Sequence, residues 1–173
     1  MRWTTFLPWL AVLGLGALLL LGGWARGGSG AALDTGPGRT TMARVERVVD
    51  GDTVVVRAGG RRERVRYIGI DTPESVKPGT PVQCYAEAAS RENARLVGGR
   101  RVRLVFDHEP RDAYGRLLAY VYRASDGLLV NRELVRRGYA RTLVIEPNDA
   151  HARDFAALRE RARARAIGLW GAC

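Results

Sequence analysis

Two short acidic turns carry the residue types with the greatest potential for chemistry in this chain. They are Asp50-Gly51-Asp52-Thr53 and Asp71-Thr72-Pro73-Glu74. If one hairpin brings the turns together, Asp52, Asp71 and Glu74 offer oxygen ligands of the kind that Ca²⁺ and Mg²⁺ prefer. The strand-like segment 61–70 between the turns contains Arg66, whose guanidinium can bind an anion. In a basic protein, this combination favours metal-assisted attack on a phosphate ester.

A second arginine and a tyrosine extend this set of candidate residues. Arg116 ends the run 111–116, which also contains Tyr114. Beside a carboxylate-rich cleft, Arg66 and Arg116 would stabilise the negative charge that develops on a phosphorane-like transition state. Tyr114 could hydrogen-bond to a nucleotide or stack on it, although a tyrosine in a turn often serves packing instead.

The sequence gives little support to a side-chain nucleophile. It contains no Gly-x-Ser-x-Gly elbow and no Walker loop, and His108 and His151 are isolated. Attack by an activated water remains, and Glu74 is the carboxylate best placed to act as its base. Each acidic turn is also a common turn sequence, so spacing alone leaves both a metal site and a structural role open.

The charge balance indicates a polyanionic partner. The chain has 173 residues and a formal net charge of +10, and among its 28 basic residues Lys77 is the only lysine. Such a balance favours nucleic acid first and an anionic membrane surface second. No feature of the sequence indicates a protein partner, and we expect a monomer.

The N-terminus is predicted to be a targeting segment. No charged residue separates Arg2 from Arg26, and Ser29-Gly30-Ala31 resembles a signal-peptide cleavage site. The uncharged run is also long enough to span a bilayer, for which roughly 20 residues suffice. A signal peptide or a membrane anchor over 1–31 therefore both remain open, and both predict an exported protein. A flexible glycine-rich linker is expected over 32–41 and the folded domain over 42–173.

The two cysteines of the chain, Cys84 and Cys173, fit an exported protein. An even count in such a chain favours one disulfide, which would tie the C-terminus to the start of the first helix. Two unrelated thiols are the alternative.

The pattern of β-branched residues, turns and glycines predicts a β-rich α+β fold. Strands are expected on both sides of the Asp50 turn and at 61–70, 101–106 and 117–122, and helices at 84–97, 130–137 and 149–166. Five short antiparallel strands interrupted by one helix suggest a five-stranded Greek-key barrel of the OB type, with about three helices.

Several motifs in this order resemble the thermonuclease, or staphylococcal nuclease-like, family. The first acidic turn, the segment from Arg66 to Glu74 and the segment from Asp112 to Tyr120 carry most of the resemblance. It extends through residues 130–138 and 146–148 and covers about residues 43–170. The family has an OB barrel with three helices, and its members hydrolyse DNA and RNA with Ca²⁺ and leave a 3′-phosphate.

The resemblance implies a role for each matching residue. Asp52 and Asp71 would be calcium ligands together with the backbone carbonyl of Thr72. Glu74 would be the general base or would orient the water, and Arg66 and Arg116 would contact the scissile phosphate. Mg²⁺ or Mn²⁺ could replace Ca²⁺ at oxygen ligands of this kind.

The chain departs from the family's prototype at three positions beside the nucleotide. Ala113 stands where the prototype has a lysine, and Leu143 and Ile145 stand where it has tyrosines, whereas Tyr114 is kept. The phosphate chemistry is therefore expected to be intact, with different binding of the rest of the nucleotide.

These observations predict an exported, metal-dependent nuclease acting on DNA and RNA, preferentially on single strands or frayed ends, because an OB groove follows an unpaired backbone. A noncatalytic nucleic-acid-binding OB module at the cell surface is the alternative. A basic domain that contacts membrane lipid ranks last, because it leaves the acidic turns unexplained.

Overall fold

The computed structural model describes residues 32–75, 79 and 81–173. The predicted targeting segment 1–31 therefore lies outside the described residues. In the part of the chain that is described, no helix is both long and apolar enough to cross a membrane.

Seven strands and four helices make up the described chain. The strands are β1 (Thr40–Val48), β2 (Thr53–Ala58), β3 (Arg61–Tyr67), β4 (Ile70–Asp71), β5 (Arg101–Val105), β6 (Leu117–Arg123) and β7 (Arg141–Thr142). The helices are α1 (Ala86–Val97), α2 (Val130–Arg136), α3 (Ala152–Ala164) and the single turn α4 (Leu169–Ala172).

The predicted five-stranded barrel is confirmed, and one of its strand pairs corrects the prediction of purely antiparallel strands. The barrel closes in the order β1-β2-β3-β6-β5, and β5 pairs back to β1. Strands β3 and β6 run parallel, with Val65 opposite Leu117 and Tyr67 opposite Ala119. The connection between them contains α1 and β5. This long connection brings the chain back so that β6 can run in the same direction as β3.

The predicted strand 61–70 is divided into β3 and β4. Gly69 has a left-handed φ of 79°, and a Cβ there would approach a ring carbon of Phe155 to 2.9 Å. Glycine is therefore required both by the backbone and by the close packing of α3. Beyond this bend, β4 pairs with β7, where Asp71 lies opposite Arg141. The sequence did not predict this second, two-stranded sheet.

The helices close the barrel and are somewhat shorter than predicted. Helix α1 begins at Ala86 rather than Cys84, because Tyr85 before it has a left-handed φ of 69°. Helix α3 covers Ala152–Ala164 rather than 149–166, and its Phe155 and Leu158 are buried against the barrel.

The core is formed by the inward residues of the barrel strands and by the helix faces packed on them. Its largest fully buried side chains include Tyr67, Ile70, Leu96, Leu104, Phe106, Leu117, Leu134 and Phe155. The predicted pair Cys84 and Cys173 forms a disulfide with a Cα–Cα distance of 6.0 Å. The bond ties the end of α4 to the residue two before α1.

Candidate active site

The two acidic turns converge on one cleft at the end of the barrel, which we call the acidic cleft. It has a volume of about 300 Å³. Its lining comprises Asp50, Asp52, Thr53, Arg66, Asp71, Thr72, Pro73, Glu74, Tyr114 and Arg116. Every residue that the sequence proposed for catalysis, metal binding or substrate contact is therefore in this lining. The bend at Gly69 and the β4–β7 pairing direct the second turn toward the first.

Asp52 is the buried centre of the cleft, with only 2% of its surface exposed. Its Oδ2 accepts hydrogen bonds from the backbone N–H of Thr72 at 2.7 Å and from the Thr72 hydroxyl at 2.8 Å. Its Oδ1 accepts the hydroxyl of Thr53 at 3.1 Å. The two turns are thus joined directly through one carboxylate, which fixes their relative position.

Gly51 allows this close approach of the turns. A Cβ at this position would lie 2.6 Å from the Thr72 Oγ1 and 2.8 Å from the Cβ of Ala89 on α1. Side-chain atoms do not reach such distances without displacement of their neighbours. A larger residue here would therefore push the second turn away from Asp52.

Arg66 bridges the two aspartates. It extends from the end of β3 and forms ion pairs with Asp52 and, through Nη2, with Asp71 Oδ1 at 2.8 Å. The same Nη2 donates to the carbonyl of Ile70 at 3.3 Å. The Arg66 side chain is mostly buried, whereas 49% of the Asp71 side chain is exposed. The Asp52 end of this bridge is therefore buried, and the Asp71 end is accessible to solvent.

Glu74 is the last residue of the second turn, and its main chain is bonded to Gln83. The Glu74 N–H donates to the Gln83 Oε1 at 2.9 Å, and the Gln83 N–H donates to the Glu74 carbonyl at 2.9 Å. These two bonds hold the main chain of Glu74 against Gln83. Glu74 is consequently held at the edge of the cleft by a residue that the sequence analysis did not single out.

Arg116 and Tyr114 come from the turn that precedes β6. Asp112 organises this turn by accepting the backbone N–H groups of Tyr114 at 3.0 Å and of Arg116 at 2.9 Å. It also pairs with the Nε of Arg116 at 2.6 Å. The guanidinium of Arg116 lies 5.5 Å from the centre of the Tyr114 ring, and this ring is 86% exposed. The arginine is held by its carboxylate partner, and the tyrosine ring is open to a ligand.

Asp50 also lines the cleft, although the sequence analysis did not include it in the site. Its Oδ1 accepts the N–H of Asp52 at 3.0 Å, and its carbonyl accepts the Nδ2 of Asn93 at 2.9 Å. Burial raises the pKa of its carboxyl group, the nearby charge of Glu74 adds to that rise, and a hydrogen bond from Thr53 and the charge of Arg66 oppose it. The two-residue spacing from Asp52 was the signal that could have identified it.

The charges in the acidic cleft suit a divalent cation. Four carboxylates and two guanidinium groups line it, so the cleft has two negative charges in excess within a strongly basic protein. Among the described residues, no three Asp, Glu, His or Cys side chains are close enough together to hold a metal as a group. Asp52, Asp71 and the carbonyl of Thr72 are the donors that the family resemblance implies for a cation, and both aspartates line the cleft. These are hard oxygen donors, which match Ca²⁺ or Mg²⁺ with water in the remaining positions.

A second cavity, which we call the apolar pocket, adjoins the acidic cleft and shares Arg66, Tyr114 and Arg116 with it. Its volume is about 370 Å³. The remaining lining residues are Tyr67, Ile68, Gly69, Ile70, Glu109, Arg111, Asp112, Ala113, Leu118, Leu143, Ile145 and Asn148. All three positions that depart from the family's prototype, Ala113, Leu143 and Ile145, thus lie in this pocket. None of them lines the acidic cleft.

Comparison with known proteins agrees with this architecture. The family model described as Staphylococcal nuclease homologue matches residues 64–172. The thermonuclease of Staphylococcus intermedius is 43% identical over 126 residues, which cover 73% of this chain and 74% of that protein. The thermonuclease of Staphylococcus hyicus is 38% identical over 127 residues, with coverages of 73% and 74%. Endonuclease YncB of Bacillus subtilis is 41% identical over 128 residues, which cover 73% of this chain and 60% of that protein.

The matched segment 64–172 contains Arg66, the second acidic turn, Tyr114 and Arg116. The chain therefore belongs to the staphylococcal nuclease family, whose members are phosphodiester-hydrolysing nucleases.

Proposed function

We propose that the protein is an exported, metal-dependent nuclease that hydrolyses DNA and RNA phosphodiesters with a water activated by Glu74. The observation that carries this proposal is the acidic cleft, where two arginines and an excess of carboxylates line the same cavity. The arginines can bind a phosphate, and the carboxylates can bind a cation. A simple binding groove for nucleic acid would need the arginines but not the carboxylates, which repel phosphate.

Asp52, Asp71 and the carbonyl of Thr72 would hold the cation. When bound, a hard divalent cation neutralises negative charge on the phosphate and polarises its oxygens. The protein's own contribution is to fix these donors. Asp52 is immobilised by the two hydrogen bonds from Thr72, and Asp71 is placed at the open side of the cleft by the pairing of β4 with β7.

Arg66 and Arg116 would bind the two sides of the scissile phosphate. Guanidinium groups bind phosphate oxygens in pairs and retain their charge at any relevant pH. In this structure each arginine is paired with carboxylates. Arg66 pairs with Asp52 and Asp71, and Arg116 pairs with Asp112. These partners hold both guanidiniums within the cleft before the substrate arrives. Such preorganised charge stabilises the transition state at little cost in reorganisation.

Glu74 would remove a proton from the attacking water. A carboxylate can take this role if it lies at the reaction site and remains ionised before the step. Glu74 lines the cleft together with both arginines. Attack in line with the 5′ oxygen as leaving group would leave the phosphate on the 3′ side, as the family resemblance implies.

The apolar pocket would receive the nucleoside next to the scissile phosphate. It is continuous with the acidic cleft through Arg66, Tyr114 and Arg116. An exposed tyrosine and aliphatic side chains can accept any base by stacking and contact, without reading its hydrogen-bonding edge. An unpaired base reaches such a pocket more easily than a base in a duplex, so single strands and frayed ends are the preferred substrates.

Export is supported by the disulfide between Cys84 and Cys173, because disulfides persist mainly outside the reducing cytoplasm. The predicted targeting segment 1–31 supports the same conclusion. Whether that segment is removed as a signal peptide or retained as an anchor can be decided by N-terminal sequencing of the mature protein.

Cleavage assays over a series of cations test the proposal. The purified protein would be incubated with single-stranded DNA and with RNA in Ca²⁺, Mg²⁺, Mn²⁺ or excess chelator, and the product ends would be identified by mass spectrometry. We expect cation-dependent cleavage that leaves 3′-phosphates and a loss of several orders of magnitude in Glu74→Gln. Salt-sensitive binding without cleavage in every cation would instead make the domain a noncatalytic nucleic-acid-binding module.

A further inference from the structure

The main chain at Glu74 is fixed by contacts outside the acidic cleft. Strand β4 ends at Asp71, so Glu74 is beyond the last regular element on its N-terminal side. On that side it follows Thr72, which Asp52 holds through two hydrogen bonds. On its C-terminal side, Gln83 bonds to its main chain. Gln83 therefore contributes to the position of the Glu74 main chain.

We propose that Gln83 and the Cys84–Cys173 disulfide are positioning elements for Glu74. The inference rests on the proposed function, since it concerns the group assigned there as the base. Gln83 bonds to Glu74 twice, once through its side-chain Oε1 and once through its own N–H, both at 2.9 Å. These two hydrogen bonds close a ring of main-chain and side-chain atoms between Glu74 and Gln83. The side-chain bond requires an acceptor oxygen at the end of the residue 83 side chain.

The disulfide restrains Gln83, the partner of Glu74 in this pair. Cys84 directly follows Gln83 and is bonded to Cys173. The N–H of Cys173 donates to the carbonyl of Leu169 at 3.1 Å, and the N–H of Leu169 donates to the carbonyl of Gly138 at 2.8 Å. Leu169 is itself buried. A covalent link therefore connects Cys84, next to Gln83, to the packed region after α2.

Gly138 and Gly168 make the anchor region unusually close-packed. Both have left-handed φ values, 69° and 62°. A Cβ on Gly138 would collide with the carbonyl of Ile167, and a Cβ on Gly168 would collide with the carbonyl of Gly138. Two chain segments thus meet backbone to backbone at the point where the disulfide is anchored. Such an anchor has little freedom to move, so it can hold Cys84 in place.

A ring contact next to the disulfide reinforces the same attachment. Tyr85 stacks on Tyr139 with 5.4 Å between ring centres. Tyr139 follows Gly138, so the contact joins the same two parts of the chain as the disulfide. Glu74 is thus linked through Gln83, Cys84 and Tyr85 to the region around Gly138. Loss of the Gln83 acceptor would leave only the bond from the Gln83 N–H between Glu74 and this chain of contacts, without removing any group from the cleft.

The first experiment separates this positioning role from a general effect on folding. Gln83→Met keeps the length of the side chain but removes its acceptor oxygen, whereas Gln83→Glu keeps an acceptor. On single-stranded DNA with saturating cation, we expect Gln83→Met to lower kcat about tenfold with little change in KM or Tm. We expect Gln83→Glu to restore most of kcat. Equal kcat values for Gln83→Met and the unmodified protein would overturn the assignment.

A double-mutant cycle then shows whether Gln83 acts through Glu74. If it does, Gln83→Met has no further effect on the residual kcat of Glu74→Gln, because the group that it positions is already absent. A further tenfold loss in that background would contradict the proposal. If Glu74→Gln alone retained full kcat, the proposed function would fail instead, so the two failures are distinguishable.

The contribution of the disulfide is tested on the full chain by Cys84→Ser with Cys173→Ser. We expect the double variant to remain folded with a lower Tm and to show a reduced kcat at a temperature well below that Tm. Adding Gln83→Met to it should then lower kcat less than tenfold, because the anchor of Gln83 is already loosened. A double variant with unchanged kcat would remove the disulfide from the proposal and leave Gln83 alone.

Discussion

The acidic cleft and the apolar pocket share Arg66, Tyr114 and Arg116 but hold their remaining side chains in different ways. In the acidic cleft, Asp52 and Thr72 are buried and bonded to each other. In the apolar pocket, Leu143 is 40% exposed and Ile145 is 64% exposed.

The difference separates the part of the site that performs chemistry from the part that accepts the rest of the substrate. Each hydrogen bond to Asp52 constrains which residues can occupy the acidic cleft, whereas an exposed aliphatic side chain can be exchanged at little cost in stability. The three positions at which the family resemblance implies a departure from the prototype, Ala113, Leu143 and Ile145, line the apolar pocket and not the acidic cleft. We expect substitutions in the acidic cleft to change kcat and substitutions in the pocket to change KM.

After Glu74→Gln, the largest effect is expected from Arg66→Lys. Lysine keeps the positive charge but cannot bond to two oxygens in the planar geometry of a guanidinium, so the bridge between Asp52 and Asp71 is lost. We expect kcat to fall by about 100- to 1,000-fold, in the range found for loss of one preorganised donor. Steady-state kinetics on single-stranded DNA measure it. Arg64→Lys, on the exposed side of the same strand, is the matched control, and an equal loss there would refute a specific role for Arg66.

A smaller effect on the same step is expected from Arg116→Lys. Asp112 holds Arg116 through the Nε atom, which lysine lacks, so the positive charge would no longer be fixed at the edge of the cleft. We expect kcat to fall about 10- to 100-fold. Arg123→Lys is the control, because Arg123 at the other end of β6 is paired with Asp126 and lines neither cavity. If both variants lost the same activity, loss of any paired arginine at either end of β6 rather than of the Arg116 guanidinium would be responsible.

The packing between the turns is tested by Gly51→Ala. Its Cβ would lie 2.6 Å from the Thr72 Oγ1, so either Thr72 or the first turn must move. We expect a loss of about 1–3 kcal/mol in the free energy of unfolding, as for other overpacked sites, measured by urea denaturation. Gly36→Ala is a suitable control, because the nearest atom to its Cβ would be 3.5 Å away. An unchanged stability in Gly51→Ala would show that the turns are not tightly joined.

The smallest effect is expected from Ile145→Tyr in the apolar pocket. An aromatic ring adds a surface for base stacking, which contributes about 1–3 kcal/mol per base. At the lower end of that range we expect KM for single-stranded DNA to fall about fivefold with kcat nearly unchanged. Val144→Tyr is the control, because Val144 is exposed but does not line the pocket. A change in kcat rather than KM would mean that the pocket and the cleft do not act separately.

The residues of the acidic cleft could be identified from the sequence because their signals are local. Each acidic turn is a short motif, and Arg66 occupies the strand that connects them. The barrel was likewise indicated by β-branched strands and the glycines between them. The parallel pairing of β3 with β6 was not predicted, because strand order depends on how the chain crosses the barrel and not on the pattern within a strand.

Apart from Asp50, the features that sequence reasoning missed depend on contacts between distant segments. Gly69 divides a continuous strand pattern because Phe155 on α3 packs against it. In the sequence, Gln83 has no feature that distinguishes it from other polar residues. Only its hydrogen bonds to Glu74 indicate the positioning role that we propose. The pairing of β4 with β7 joins residues about seventy positions apart through two residues each. Strands this short give no recognisable sequence pattern.

The central proposal is that Asp52 and Asp71 would hold a divalent cation in the acidic cleft, and calorimetric titration of the purified protein with CaCl₂ tests it most directly. Asp71→Asn is the appropriate variant, because 49% of the Asp71 side chain is exposed and its loss should leave the fold intact. We predict one Ca²⁺ per molecule in the unmodified protein and at least tenfold weaker binding in Asp71→Asn, with Tm little changed. Equal affinity in the two proteins, or no binding in either, would contradict the claim.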